Sequence, residues 1–138
     1  MESDGRPMVS AAIIAVDGRV LMVRRRVTEG ELSWQFPAGE VADGETPEQA
    51  AVRETGEEVG LVVSEIRMLG QRVHPKTGRT MAYVACDVLG GEAAVLDREE
   101  LDGLAWVEHA ALDDYVPYEL WAPLRAYLDE ILPHEGGC

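Results

Sequence analysis

The length, composition and charge of the chain restrict the kind of protein it is. At 138 residues it is long enough for one hydrophobic core, so we expect a single domain over 1–138 with flexible ends at 1–7 and 134–138. Its 46% of hydrophobic and 28% of charged residues exclude a disordered or membrane-spanning composition. A net charge of −14 opposes binding to a phosphate backbone, so we expect no nucleic-acid duplex as partner.

The sequence also predicts where the protein is found. It contains no run near the roughly 18 apolar residues of a membrane-spanning helix, and residues 1–7 lack the basic start and apolar core of a signal peptide. We therefore expect a cytoplasmic protein with no membrane partner. Cys86 and Cys138 have no metal-ligand spacing, which predicts two free thiols.

The first third of the chain predicts a hairpin and a short strand. Two strands are predicted at Val9–Val16 and 20–26, joined at Asp17-Gly18, a dipeptide that suits the positive φ angles of a two-residue turn. A polar loop at 27–33 follows. Residues 34–38 then predict a small strand, which their proline keeps short.

A helix with well-defined ends follows the short strand. Thr46 is suited to cap its start, with Gln49 completing a capping box, and Pro47 fits the first helical position. Gly60 is suited to end it. The predicted helix therefore spans Pro47–Val59.

The second half of the chain predicts further strands and a closing helix. Strands are expected at 61–69, 71–74 and 80–89, and a short one at 104–107 after an acidic loop. Apolar residues recur at helical spacing from 118 to 132. Strands interleaved with two helices predict a mixed α/β sandwich.

The predicted helix carries three glutamates on one side. Glu54, Glu57 and Glu58 are spaced i,i+3 and i,i+4, next to an apolar arc that faces the core. Such like-charge pairs destabilise a helix slightly unless a cation lies among them. Carboxylates suit Mg²⁺ or Mn²⁺ rather than Zn²⁺, which prefers His or Cys. A glutamate-rich helix is also typical of a solvated face, so these residues alone leave both readings open.

The surrounding pattern resembles the Nudix box, G-x5-E-x7-R-E-U-x-E-E-x-G-U, where U is apolar. The matching residues are Gly39, Glu45, Arg53, Glu54, Thr55, Glu57, Glu58, Gly60 and Leu61, with Thr55 at a position that is usually aliphatic. The likeness extends to the leading hairpin, to residues 36–39 and to a late strand at 106–107. It implies an α/β fold of the Nudix type, an α/β/α sandwich around a mixed β-sheet.

The resemblance implies roles for the residues of the box. Glu54, Glu57 and Glu58 match metal-ligand positions, and the backbone carbonyl of Ala38 matches a further oxygen ligand. Arg53 matches the residue that orients these carboxylates, although a surface ion pair with Glu57 is the alternative. Glu54, Glu57 and Arg53 are thus the expected catalytic residues, and Mg²⁺, with Mn²⁺ as a substitute, is the expected cofactor.

Two further positions are matched outside the box. A late acidic ligand is expected at Glu100, with Glu99 as its rival, unless this loop is only a solvated acidic face. Arg25 matches a position that contacts substrate phosphates, whereas Arg24 and Arg26 should point to the opposite face of the strand. A plainly exposed arginine is the alternative for Arg25.

The resemblance also implies a reaction. We expect metal-dependent attack of water on the diphosphate linkage of a nucleoside diphosphate derivative, without a covalent enzyme intermediate. The compact chain is most similar to the MutT-like branch, which converts ordinary or oxidised nucleoside triphosphates to nucleoside monophosphate and pyrophosphate. ADP-ribose, nucleotide sugars and dinucleoside polyphosphates stay open as substrates. A nucleotide-sensing domain without catalysis is the alternative of another class, and a homodimer is an open possibility.

Weaker features bear on the group attached to the diphosphate. Gly39, at the start of the box, is expected to lie against the substrate. Trp34 and Tyr118 either stack on a base or fill the core, and Trp121 favours the core. His74, beside a turn-forming run, is more typical of an exposed loop residue than of a site residue.

Overall fold

The computed structural model describes residues 5–29, 32–116 and 118–134, without the side chains of 27–29 and 32. Residues 1–4 and 135–138, in the predicted flexible ends, lie outside this part. The described strands are β1 (Val9–Val16), β2 (Arg19–Glu29), β3 (Leu32–Gln35), β4 (Ala38–Glu40), β5 (Val62–Val73), β6 (Thr80–Gly90) and β7 (Leu101–Glu108). The helices are α1 (Pro47–Val59), α2 (Leu112–Tyr115) and α3 (Ala122–Ile131), with a 3₁₀ turn at His109–Ala111 before α2.

The strands form one mixed sheet in the order β3-β2-β1-β6-β5, in which β4 also pairs with β1 and β7 with β2. Strands β1 and β6 are parallel, from Val9 beside Met81 to Ile14 beside Cys86, and the other pairs are antiparallel. The predicted hairpin turn is confirmed, since Asp17 and Gly18 have φ values of 51° and 79°. The mixed sheet of the sequence prediction is likewise confirmed.

The central strand β1 is buried on both faces and separates two hydrophobic layers. Ile13 packs into one cluster with Leu124 and Leu128 of α3. Its neighbour Ile14 packs into the other, with buried residues of α1. Because successive side chains of a strand point to opposite faces, this alternation places one helix layer on each side of the sheet. The arrangement is the expected α/β/α sandwich.

Several boundaries differ from the sequence prediction. β5 is one strand, not two, because a register shift near Gly70 keeps the chain in the sheet. β7 begins at Leu101, inside the predicted acidic loop, because this leucine is fully buried. α3 begins at Ala122 rather than 118, with Pro123 in its first turn, so Leu120 reaches the core from a non-helical segment. β2 also extends to Glu29, into the predicted polar loop.

Helix α1, which supports the predicted site, has the predicted caps. The Thr46 hydroxyl accepts a hydrogen bond from the Gln49 amide at 3.1 Å, and the Gln49 side chain accepts one from the Thr46 amide at 2.9 Å. Gly60 ends the helix in a left-handed conformation with φ 75°. The helix is also tied to the sheet, since the Ser10 hydroxyl donates to the Pro47 carbonyl at 2.6 Å.

The cap gives a first expected result. Thr46→Ala removes the acceptor for one amide of the first turn and should lower the free energy of unfolding by about 1 kcal/mol. Thr46→Ser keeps the hydroxyl and should retain most of that stability. Urea unfolding of the two variants beside the wild type measures the difference. Equal losses in both variants would show that packing of the threonine methyl, and not the cap, stabilises this end of the helix.

Candidate active site

The three glutamates of α1 face a large open cavity, here called the acidic cleft. It has a volume of about 980 Å³. Its lining residues are Val9, Arg25, Gln35, Ala38, Gly39, Glu40, Glu54, Glu57, Glu58, Arg79, Asp97, Glu99 and Glu100. The structure therefore brings together every metal-ligand position expected from the resemblance, and both Glu100 and its rival Glu99 lie there.

Arg53 joins the acidic residues of the box to one another. Its Nη1 atom donates to the carboxylates of Glu54 at 2.8 Å and Glu57 at 3.2 Å. Its Nε and Nη2 atoms donate to the two oxygens of Glu45 at 2.8 and 2.9 Å, and Nη2 also reaches the Glu40 carbonyl. These are the contacts of a residue that orients carboxylates, and the alternative ion pair with Glu57 is only one of them.

The electrostatics of this network follow from the same contacts. Hydrogen bonding to Arg53 lowers the pKa of Glu45 to about 2. Partial burial raises the pKa of Glu54, which the guanidinium of Arg53 partly offsets. Because Glu45 fixes one side of the arginine fork, the other side is held against Glu54.

Gly39 is required by the close approach of Glu54. A Cβ atom at this position would overlap the carboxyl group of Glu54. Since the backbone of Gly39 does not have a positive φ, glycine is needed here for space and not for its conformational freedom. The absence of a side chain thus lets the glutamate lie against β4. Gly39 lines the acidic cleft, where its expected contact with the substrate stays a prediction, and the structure adds its role in admitting the Glu54 carboxylate.

This close approach gives a second expected result. Gly39→Ala should displace the Glu54 carboxylate and lower turnover by about 10²-fold, the effect typical of a 1 Å misplacement in an active site. The matched control is Gly90→Ala, because a Cβ atom there meets nothing within 4 Å. Steady-state rates and a crystal structure of Gly39→Ala provide the measurement. Unchanged turnover with a displaced carboxylate would mean that Glu54 is not a catalytic residue.

Glu58 is the most deeply placed of the three glutamates. It is 3% exposed, accepts a hydrogen bond from the Ala38 amide at 3.3 Å and pairs with Arg25 at 3.3 Å. Burial raises its pKa to about 7, although Arg25 acts in the opposite direction. The helical pattern placed Glu58 beside Glu54 but gave no sign of this burial, because its contacts with Arg25 of β2 and Ala38 of β4 come from residues distant in sequence.

Arg25 contacts the oxygens that the resemblance assigns to a metal. Its Nη2 atom donates to the Ala38 carbonyl at 2.8 Å, and its Nη1 atom pairs with Glu100 at 3.2 Å, in addition to the pair with Glu58. Arg24 and Arg26 are both exposed, and the guanidinium of Arg24 lies over Trp34 rather than near α1. Arg24 thus lies apart from Arg25, as predicted, and Arg25 is not a plainly exposed residue.

A second cavity, here called the apolar pocket, adjoins the acidic cleft. It is about 70 Å³ in volume. Four of its residues also line the cleft: Val9, Gln35, Ala38 and Arg79. Its remaining lining residues are Ala11, Phe36, Arg72, His74, Thr77, Met81, Tyr83, Tyr118, Leu120 and Leu124. A group joined to a diphosphate in the cleft would meet this pocket.

The three aromatic residues considered for stacking on a base lie in different parts of the structure. Tyr118 lines the apolar pocket, and burial raises its pKa to about 12. Trp34 lines neither cavity, and its ring packs edge-on against Tyr115 at 4.9 Å beneath the guanidinium of Arg24. Trp121 packs against Tyr83 with ring centroids 5.3 Å apart, as the core interpretation predicts.

His74 corrects one prediction. It is 5% exposed and lies at the wall of the apolar pocket, so the expectation of an exposed loop histidine is wrong. Its Nδ1 atom accepts a hydrogen bond from the Lys76 amide at 3.0 Å, which fixes the ring inward at the start of the turn. A turn-forming sequence indicates a reversal of the chain but does not indicate which of its flanking side chains points inward.

Arg79 is a site residue that the sequence did not reveal. It is 8% exposed, borders both cavities and pairs with Glu40 at 2.8 Å. Within the described residues its buried Nε has no hydrogen-bond partner. The only sequence signal was a basic residue directly after a turn, which is equally typical of solvent-exposed arginines.

The chemistry of the cleft lining matches a hard divalent cation. Its candidate ligands are carboxylate and carbonyl oxygens, and no His or Cys lines this cavity in the part of the chain that the structure describes. Such oxygen donors suit Mg²⁺ or Mn²⁺, with water completing the coordination. Glu54, Glu57, Glu58, Glu100 and the Ala38 carbonyl are the groups that would hold it.

Fold and site together define a mixed α/β domain with a carboxylate-lined cleft built on a capped helix. Residues 5–131 match the family model of the NUDIX domain. The chain therefore belongs to the Nudix family, and the resemblance seen in the sequence is confirmed. None of the helices among the described residues is both long and apolar enough to cross a membrane.

Known relatives agree with this assignment. An RNA pyrophosphohydrolase from Aliivibrio fischeri (strain MJ11) is 45% identical over 75 residues, which are 54% of this chain and 42% of that protein. The chain thus matches less than half the length of this relative. An ADP-ribose pyrophosphatase from Streptococcus suis has a TM-score of 0.66 at 22% identity, covering 89% of this chain and 90% of that one. A MutT Nudix hydrolase from Burkholderia pseudomallei has a TM-score of 0.63 at 24% identity, covering 91% and 97%. These two likenesses show the shared fold.

Proposed function

We propose that this protein is a metal-dependent hydrolase that cleaves the diphosphate linkage of a nucleoside diphosphate derivative. The observation that carries the proposal is the convergence of Glu54, Glu57 and Glu58 on one cleft, with Arg53 bound to the first two. Membership of the Nudix family supports it. A domain that only senses a nucleotide would not need an arginine that aligns the carboxylates.

The residues of the cleft have different roles in the proposed reaction. Bound Mg²⁺, or Mn²⁺ in its place, supplies charge neutralisation for the diphosphate and makes water more acidic. Glu54 is the carboxylate that we assign to accept the proton of the attacking water, because Arg53 and Gly39 fix its position. We assign Arg25 to donate to a phosphate oxygen, and its position in the lining of the cleft supports this role. Water attacks phosphorus directly, so no covalent enzyme intermediate forms.

We further propose that the substrate is a free nucleoside triphosphate, ordinary or oxidised, which yields nucleoside monophosphate and pyrophosphate. The apolar pocket beside the cleft supports this proposal, because the aromatic rings of Phe36 and Tyr118 provide apolar surface against which a base can pack. Since such nucleotides are present in the cytoplasm, we place the activity there. A small-molecule nucleotide is then the partner of the protein, whether it acts as a monomer or as a homodimer.

The 5′ end of RNA is the second candidate substrate, because the relative from Aliivibrio fischeri is an RNA pyrophosphohydrolase. The charge of this chain opposes it. With a formal net charge of −14, the protein repels each further phosphate of a polynucleotide, whereas a mononucleotide brings only the phosphates that the metal neutralises. We therefore favour the mononucleotide.

The test is product release from a substrate panel with Mg²⁺ and with EDTA. The panel contains the common nucleoside triphosphates, an oxidised guanine nucleotide, ADP-ribose, a nucleotide sugar, a dinucleoside tetraphosphate and a short 5′-triphosphorylated RNA. We expect Mg²⁺-dependent release of nucleoside monophosphate and pyrophosphate from a triphosphate. Faster cleavage of the RNA would replace the mononucleotide proposal, and tight binding of one compound without turnover of any would favour a sensor.

A further inference from the structure

A second group of potential metal ligands lies outside the acidic cleft, on the side of the sheet that carries α3. It consists of His109, Asp129 and His134 and is here called the His-Asp-His cluster. The three residues come from three segments: the 3₁₀ turn after β7, helix α3, and the chain that leaves α3. Their ligand atoms all lie within 4.8 Å of one another.

The two imidazoles of the cluster are arranged around the aspartate. Nε2 of His109 is 2.7 Å from a carboxylate oxygen of Asp129, and Nε2 of His134 is 3.0 Å from its backbone carbonyl. The rings are stacked, with centroids 3.9 Å apart and an angle of 15° between their planes. The ligand atoms are thus close together. Because a metal binds an imidazole in the plane of its ring, a cation that meets both histidines and the carboxylate requires the stacked rings to rotate.

The donor types select the metal. Imidazole nitrogens with one carboxylate are ligands typical of Zn²⁺, and they also bind Ni²⁺ and Cu²⁺, whereas Mg²⁺ prefers oxygen ligands alone. Bonds of about 2.0–2.1 Å to a tetrahedral Zn²⁺ place ligand atoms about 3.4 Å apart. Closing the cluster from its present spacing therefore requires shifts of about an ångström in the ligand atoms, together with rotation of the two rings out of their stack.

We propose that the His-Asp-His cluster is a structural site for a zinc-like divalent cation, separate from the metal of the acidic cleft. The cation takes the place of the hydrogen between Nε2 of His109 and Asp129, and the neutral imidazole then carries its one ring hydrogen on Nδ1. Arg125 forms an ion pair with the same carboxylate oxygen at 3.3 Å and another with Asp113, so it keeps an acidic partner when Asp129 binds the metal. Water fills the fourth position.

The proposed cation would link the end of α3 to the turn that follows β7. Leu124 of α3 lines the apolar pocket and Leu128 is fully buried beneath the helix. A metal that joins His109 to Asp129 and His134 would therefore hold one wall of that pocket against the sheet. The site does not depend on the activity proposed for the acidic cleft.

Zinc binding to the full chain tests the proposal. All proteins carry Cys138→Ser, so that the thiol near the cluster in sequence cannot supply the binding. Titration against a chromophoric zinc chelator should give one site per chain, and His109→Gln and His134→Gln should each weaken it at least tenfold. The matched control is His74→Gln, which changes the one histidine of the chain outside the cluster and should bind zinc as the parent does.

Two further measurements separate this site from the acidic cleft. Zinc binding should be retained in Glu54→Gln, and Mg²⁺ should not compete for it. At a free zinc concentration about 100-fold above the dissociation constant, the melting temperature should rise by about 5–10 °C, and the rise should be absent in His109→Gln. Saturable binding that survives in the double variant His109→Gln/His134→Gln, or the lack of a saturable site in the parent, would overturn the proposal.

Discussion

We expect Glu54→Gln and Glu57→Gln each to lower turnover by about 10²- to 10⁴-fold, the range for loss of a catalytic acid–base group, while leaving the fold intact. Each change keeps the shape of the side chain and removes the negative charge that a cation and a proton-accepting group require. The side chain of Glu57 is 60% exposed and that of Glu54 is 16% exposed, so neither is an essential part of the core.

Steady-state rates across Mg²⁺ concentrations, with circular dichroism of each variant, measure this effect. The matched control is Glu48→Gln on the same helix, since Glu48 lies in the first turn and does not line the acidic cleft. It should turn over substrate as the wild type does. Wild-type rates in both Glu54→Gln and Glu57→Gln would reject the assignment of the cleft as the catalytic site.

The second large effect concerns Arg25. Whether its removal strengthens or weakens Mn²⁺ binding shows whether the arginine competes with the metal or holds the metal's ligands in place. We expect Arg25→Gln to bind Mn²⁺ at least tenfold more tightly and yet to turn over substrate more slowly. The guanidinium holds Glu58, Glu100 and the Ala38 carbonyl, which are the same oxygens proposed for the metal. A unit charge about 4 Å from another is worth about 4 kcal/mol at an effective dielectric constant of 20, so removing this one should favour the cation by well over a factor of ten.

Calorimetry or electron paramagnetic resonance of Mn²⁺ measures the affinity, and initial rates at saturating metal measure the loss of phosphate contact. Arg24→Gln is the matched control, because Arg24 lies apart from Arg25 and pairs with Asp102. Weaker Mn²⁺ binding by Arg25→Gln would contradict the expectation. It would mean that Arg25 holds the ligands in place instead of competing with the metal for them.

The parts of the fold that the sequence predicted are those governed by local chemistry. The turn at Asp17-Gly18 and the ends of α1 at Thr46 and Gly60 are determined by residues within four positions of one another. The box then places Glu54 and Glu57 on that helix, because its length and caps fix their spacing. These elements needed no knowledge of how the strands pair.

The features that escaped prediction depend on contacts between distant residues. The parallel pairing of β1 with β6 buries Ile13 and Ile14 on two different faces. The burial of Glu58 likewise depends on Arg25 of β2 and Ala38 of β4, and that of His74 on the distant residues that line the apolar pocket with it. Hydrophobic spacing from 118 onwards suggested a longer α3, because a buried leucine at 120 looks the same whether its backbone is helical or extended.

The two hydrophobic layers on either side of β1 have a consequence for how such a domain can diverge. Ala51 and Val59 of α1 pack in one layer and Leu124 and Leu128 of α3 in the other, so the helix with the glutamates and the helix beside the apolar pocket have separate packing partners. Substitutions too far apart to share neighbours combine almost additively in stability. Substitutions in the part of the apolar pocket that α3 forms should therefore disturb the packing of α1 little, which would let related domains accept different substrates while the helix with the glutamates is kept.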